Sequence, residues 1–263
     1  MEHVIATVVI IFVISFVFSM FGRGGGDFYL PVIVTLLNMP FYTAAGVSLF
    51  LILIQSISMV SVYSTKHRLL DWKLAFVLGA TVAITAFLGG FVSHSIPAVY
   101  LKVVFAAFLL FSAYFMFKGV NIATVKAGGL GVWHREFSGG DYDVNLLYIL
   151  PPVALAAFLA GMVGISGGGL IIPLAVLIGG VPLRIAMGTN TFLVLSASSM
   201  SFMAHALRGG IDLQLCLILG GTVLVASQLG SRLHMKVKEK ELRWGFALIL
   251  VAASLWMIAK IFV

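Results

Sequence analysis

Gly22-Arg-Gly-Gly-Gly-Asp-Phe-Tyr-Leu-Pro31 closes the first long apolar run of this 263-residue chain, and Gly164-Ile-Ser-Gly-Gly-Gly-Leu-Ile-Ile-Pro173 closes a later one in the same way. The offset between the copies, 164 − 22 = 142, persists through Pro40/Pro182, Ala44/Ala186 and Gly46/Gly188. After a one-residue deletion it continues through Asp71/Asp212, Gly89/Gly230, Leu101/Leu242, Lys102/Arg243 and Phe105/Phe246. A register held along the whole chain marks an internal duplication. Interrupted hydrophobic segments at corresponding positions of two halves are how many secondary carriers build a central site.

Hydrophobic residues make up 61% of the chain and charged ones 10%, with a mean hydropathy of +1.14, which leaves too little polar surface to cover a soluble globule. The chain therefore reads as an all-α polytopic membrane protein. Apolar segments of spanning length fall at 4–21, 43–64, 74–93, 98–118, 145–163, 184–205, 213–233 and 242–263. Two others, 28–38 and 168–180, cover only about 16 to 20 Å of a hydrocarbon core about 30 Å thick. Each follows the glycines directly and so reads as a short broken or re-entrant helix, which must be buried in protein or face a wet cavity. The first run, Val4 to Phe21, has no basic stretch before it and leads straight into the motif, so it reads as a span and not a cleaved signal.

The basic residues lie in loops, where a net charge of +7 sets orientation and gives no reason to expect nucleic acid as a partner. Lys66, His67, Arg68 and Lys73 crowd one loop of the first half, whereas its counterpart in the second half holds Arg208. The next loop reverses the bias: 94–102 carries Lys102, and its counterpart carries Arg232, Lys236, Lys238, Lys240 and Arg243. Basic loops facing the cytoplasm then require two inverted repeats, 1–118 and 145–263, each of about five helical elements. The polar stretch 119–144 becomes a cytoplasmic linker, and both termini are expected outside. Its His134, Glu136, Asp141 and Asp143 match no strong metal-ligand spacing and read as a solvated loop. The single Cys216 sits in an apolar run as a small buried residue. No nucleophile-base-acid or metalloprotease spacing supports an enzyme.

Glycines admit positive φ and let backbone N–H groups approach a ligand, while the half-helix that follows turns its positive end toward the same point. The duplicated break is thus a candidate anion site built from Gly22, Arg23, Gly24, Gly25 and Gly26 of one copy and Gly164, Ser166, Gly167, Gly168 and Gly169 of the other. Arg23 adds a planar donor fork suited to a sulfonate or carboxylate. The alternative is that the glycines only permit close helix packing. Arg23 and Asp27, four residues apart, either neutralise each other or divide the labour, Arg23 holding the anion and Asp27 a coupling proton. Ser48, Thr189, Asn190 and Thr191 begin the next spans, where they line the cavity or cap helices. Gln55 and Gln228 read best as bonds between helices.

The paired glycine segments, each followed by a proline and a small-residue element (Gly46-Val-Ser48; Gly188-Thr-Asn190), resemble the sulfite exporter TauE/SafE family, the toluene sulfonate uptake permeases, over essentially the whole chain. The resemblance implies transport of a small sulfur-containing anion such as sulfite, a sulfonate or sulfoacetate across the bacterial inner membrane, with no cofactor. Arg23 and Asp27 depart from the family's usual pattern, standing where the second copy has Ile165 and Gly169. The expected function is a secondary carrier working by alternating access, with a passive anion channel or a carrier for small carboxylates as alternatives. Its expected partners are the anion and the bilayer, and a homo-oligomer stays open.

Overall fold

The computed structural model describes residues 2–92, 130–138, 140–163, 165, 167–207 and 212–259, with scattered positions between 103 and 117. Most of the expected 98–118 span, and residues Gly164 and Ser166, lie outside the described residues. Among the described residues the chain is helical apart from one hairpin. The helices are α1 (Glu2–Met20), α2 (Gly26–Leu37), α3 (Phe41–Ser61), α4 (Trp72–Val92), α5 (Leu146–Val163), α6 (Gly168–Leu177), α7 (Leu183–Ala206), α8 (Leu213–Leu233) and α9 (Glu239–Ala259). By length and apolarity α1, α3 with its terminal π turn, α4 and α8 can each cross a bilayer. The helices after the two breaks are short as expected, 12 residues for α2 and 10 for α6. Thr189, Asn190, Thr191, Ser198 and Ser201 of α7 are buried.

The chain turns out of α1 at Gly22, whose φ of 65° and close approach to the Met187 carbonyl leave no room for a β-carbon. Gly167 precedes α6 with the same φ of 65°. Between these breaks the two cores exchange a helix. One unites α1, α2 and α3 with α8; the other unites α5, α6 and α7 with α4 and also takes in α9. In repeat terms each core is three helices of one half closed by the fourth helix of the other. The close contacts obey the same exchange: Gly89 of α4 lies against the Phe158 carbonyl, and Gly230 of α8 against the Phe16 carbonyl, with 158 − 16 = 142. Small residues at such crossings let helices pack at van der Waals distance where lipid offers no hydrophobic drive to associate. The two asparates at equivalent positions both cap helices, Asp71 accepting from the Leu74 N–H at 3.2 Å and Asp212 from the Leu215 N–H at 2.9 Å.

Loops at non-equivalent repeat positions meet at one end of the bundle. Nε2 of His67 lies 2.8 Å from the Ser231 carbonyl, the rings of Tyr63 and His234 are 5.0 Å apart, and Arg184 donates to the Val237 carbonyl at 2.6 Å.

The described part of the linker, 130–138 and 140–144, forms a hairpin and not a solvated loop. Val132–Phe137 and Gly140–Asn145 form antiparallel strands β1 and β2, joined through Ser138 at φ 54°. Arg135 pairs with Tyr142 across the ladder, so both side chains leave the same face. That face docks on the start of α4: Arg135 Nη2 donates to Asp71 Oδ1 at 2.6 Å, its Nε to Oδ2 at 3.0 Å, and the Tyr142 hydroxyl to Oδ2 at 2.7 Å. Burial alone would raise the Asp71 carboxyl, but hydrogen bonds from Arg135, Tyr142 and the Leu74 N–H hold it below the usual carboxylate range.

Candidate functional site

The two breaks meet in the middle of the protein. Asn190 of α7 donates from Nδ2 to the Gly22 carbonyl at 2.8 Å. A β-carbon on Gly168 would fall 2.8 Å from that Asn190 nitrogen and 3.0 Å from Cβ of Arg23. The first turn of α6, with Gly168 and Gly169, therefore abuts the first break, and its leading N–H groups have no acceptor within their own helix.

Arg23 sits at this junction and is completely buried, 0% exposed. Its guanidinium lies 5.0 Å from the centre of the Phe18 ring and 5.6 Å from that of Phe246 on α9. Cation–π contact of this kind partly replaces lost hydration. Asp27, also buried, is its ion-pair partner one helical turn on. Apart from that pairing, no guanidinium nitrogen and neither carboxylate oxygen has a hydrogen-bond partner among the described residues. Exposed pairs contribute little to stability, but buried charges need partners for every donor and acceptor, and this pair lacks them.

The glycine amides of the first break are largely committed to the protein itself. Gly22 N–H donates to Ser19 O and Arg23 N–H to Phe18 O, both at 3.3 Å. Gly25 N–H donates to Gln55 Oε1 at 2.9 Å. Gln55 also accepts from the Tyr29 hydroxyl at 2.9 Å and donates to Ser19 Oγ at 2.8 Å. It thus ties α1, α2 and α3 together, as a bond between helices should; Gln228 is only half-buried on α8. Among the described residues the Arg23 side chain therefore adds donors that the Gly22, Arg23 and Gly25 amides do not offer.

The remaining candidates divide. Gly24, Gly26, Gly167 and Gly169 are buried near the breaks. Ser48, the repeat counterpart of Asn190, is buried with a hydroxyl lacking a hydrogen-bond partner among the described residues. Thr189 points elsewhere, accepting from the Asp71 N–H at 3.2 Å, and Thr191 bonds back to Gly188 O at 2.7 Å. Thr189 and Asn190 thereby connect the hairpin's anchor at Asp71 to the first break at Gly22. With Arg23, Asp27, Ser48 and Asn190 all buried, the junction is closed. An apolar crevice between α5 and α6, lined by Pro152, Leu155, Leu159 and Leu170 among others, does not include them.

A helical bundle with two interlocked cores and a charged, closed centre is the build of a polytopic membrane protein. The family model for sulfite exporter TauE/SafE matches residues 7–257, and the chain belongs to that family of membrane transporters. A probable membrane transporter protein of Methanocaldococcus jannaschii is 25% identical over 270 residues, covering 95% of this chain and 94% of that protein. The probable membrane transporter protein YunE of Bacillus subtilis is 22% identical, covering 89% of each chain. No solved structure matches the chain.

Proposed function

We propose that the protein is a secondary carrier for a small sulfur-containing anion of the sulfite, sulfonate or sulfoacetate type, and that the anion binds to the Arg23 guanidinium between the two glycine breaks. The observation that carries this reading is a fully buried arginine whose donors, among the described residues, are unmet beyond a single carboxylate. Such a group is costly at membrane depth, which makes it a functional candidate by default. Gly168 at the start of α6 lies beside Arg23 and Asn190, and the Asn190 Oδ1 and the Ser48 hydroxyl, both without a hydrogen-bond partner among the described residues, are further polar groups on offer. Closure of the junction favours alternating access over an open anion channel. The repeats are inverted across a bacterial inner membrane, with the hairpin and the basic loops cytoplasmic and the termini outside. In support, loops at non-equivalent repeat positions share one end, and repeat-equivalent helices exchange partners between the cores.

The test is ligand-induced thermal stabilisation of purified protein with sulfite, thiosulfate, sulfoacetate, isethionate, taurine and short carboxylates, since a ligand that binds only the native state must stabilise it. At least one sulfur anion should raise the melting temperature, and Arg23→Gln should abolish that rise. Stabilisation by none of them, or an unchanged response in Arg23→Gln, refutes the assignment.

A further inference from the structure

We propose that Asp27 is a built-in substitute for the transported anion, so that the carboxylate and the substrate take turns on Arg23 and each monoanion crosses together with one proton. The inference rests on the anion-carrier reading above and adds its coupling.

The ion pair is sealed: both side chains are essentially inaccessible, and neither has another hydrogen-bond partner among the described residues. Phe18 and Phe246 flank the guanidinium, so an arginine left alone there would be an uncompensated charge in an apolar setting. Two anions on the one guanidinium are equally unfavourable, because the second finds no cation to meet it. Among the described residues the titratable groups at the end of α1 are Tyr63, whose hydroxyl donates to the Ser19 and Met20 carbonyls at 3.0 and 2.9 Å, and His234, whose Nδ1 lies 2.7 Å from the Met20 carbonyl, and neither supplies a negative charge for Arg23. The helices packed on α2 are α1 and α3; α3 carries no charged residue, and α1 only Glu2 and His3 at its far end. Tyr29, on α2 itself, is engaged with Gln55. Of the other elements around the junction, α6 has no charged residue; on α7 Arg184 binds the Val237 carbonyl and His205 lies against Ser201 O; on α9 the charged residues Glu239, Lys240, Glu241 and Arg243 all precede Phe246.

The centre can therefore close in two arrangements of equal charge. In one, Asp27 is ionised and paired with Arg23, as the structure shows. In the other, the substrate anion takes the guanidinium and Asp27 accepts a proton from solution to become a neutral acid. Release reverses both events: the anion leaves, Asp27 returns its proton to the solvent, and the ion pair re-forms. Because both closed arrangements balance the arginine, both can reorient across the membrane, and the cycle moves one anion and one proton with no net charge.

Asp27→Asn separates the two halves of this cycle. The variant should still carry a bound anion across, since the anion itself then balances Arg23, but should fail to return without one. We would reconstitute wild type and variant in liposomes and follow isethionate, a strong-acid monoanion that cannot itself ferry a proton at neutral pH. Wild type should acidify the lumen by one proton per anion, run faster with an inward proton gradient, and be indifferent to membrane potential. In Asp27→Asn net uptake should fall by more than about a hundredfold, the rate equivalent of one buried charge left unpaired. Exchange against isethionate preloaded inside should remain measurable and lose its pH dependence. Net uptake by Asp27→Asn at the wild-type rate would overturn the proposal. So would wild-type anion flux without proton flux, a result that does not depend on the variant folding. Failure of any anion to bind wild type would instead strike the carrier reading itself.

Discussion

Arg135→Met preserves most of a side-chain volume while deleting both hydrogen bonds to Asp71, and so asks how firmly the hairpin is fixed to α4. The side chains of Asp71 and Arg135 are 1% and 9% exposed, which places the pair among buried ion pairs. Removing one partner of such a pair costs about 3 to 5 kcal/mol, because the other is left as an uncompensated charge. Asp71 keeps the Tyr142 hydroxyl and the Lys73 and Leu74 N–H groups, so the lower end, about 3 kcal/mol, is expected. Tyr142→Phe removes one hydrogen bond to a charged acceptor and should cost about 1.5 to 3 kcal/mol. Unfolding in detergent for Arg135→Met, Asp71→Asn and the double variant gives the coupling, expected to be about 2 kcal/mol or more. The pH dependence has a definite sign. The folded carboxyl titrates below its unfolded value of about 3.9, so its stabilisation is complete above that pH and fades as pH falls through the lowered folded value. Arg135→Met should weaken this acid-limb dependence, because the Tyr142 and Leu74 hydrogen bonds remain. A single variant within about 0.5 kcal/mol of wild type, or strict additivity, would refute the clamp.

Gly168→Leu should abolish anion transport and binding while the protein still inserts, because a side chain there runs into Asn190 and Arg23; a well-expressed variant with normal flux would mean the glycine serves packing alone. Cysteines placed at Lys66 and Lys238 should be labelled from the same side of the membrane, and labelling from opposite sides would end the inverted-repeat reading. Arg23→Gln paired with Asp27→Asn distinguishes a ligand from a structural couple: each single variant leaves a buried charge unmatched, and stability should recover in the double variant while anion binding does not. Transport restored in the double variant would remove Arg23 from the site.

The spans of α1, α3, α4 and α8 and the short helices after the two breaks were legible because bilayer thickness and glycine conformation act on contiguous residues, and Val4 to Phe21 announces itself locally. Gln55 was readable as a bond between helices, although its hold on the Gly25 N–H required the fold. The hairpin went unread despite a signal: Trp133, Arg135 and Phe137 alternate with His134 and Glu136, and a Ser-Gly-Gly turn follows, the pattern of a tight hairpin. Its polarity outweighed its period. Asp71 stood only as a match to Asp212, since nothing nearby in sequence shows that Arg135, 64 positions on, will reach it. Phe246 was likewise a repeat match until the fold brought α9 beside Arg23.

The exchanged helix has a consequence for biosynthesis. The core around α1, α2 and α3 is closed by Leu215, Cys216, Leu219 and Val223 of α8, residues translated roughly 150 positions after α3 has left the ribosome. A nascent chain stopped before residue 213 therefore holds its first three helices with one wall missing, and the interval must be bridged by lipid or by an insertion chaperone.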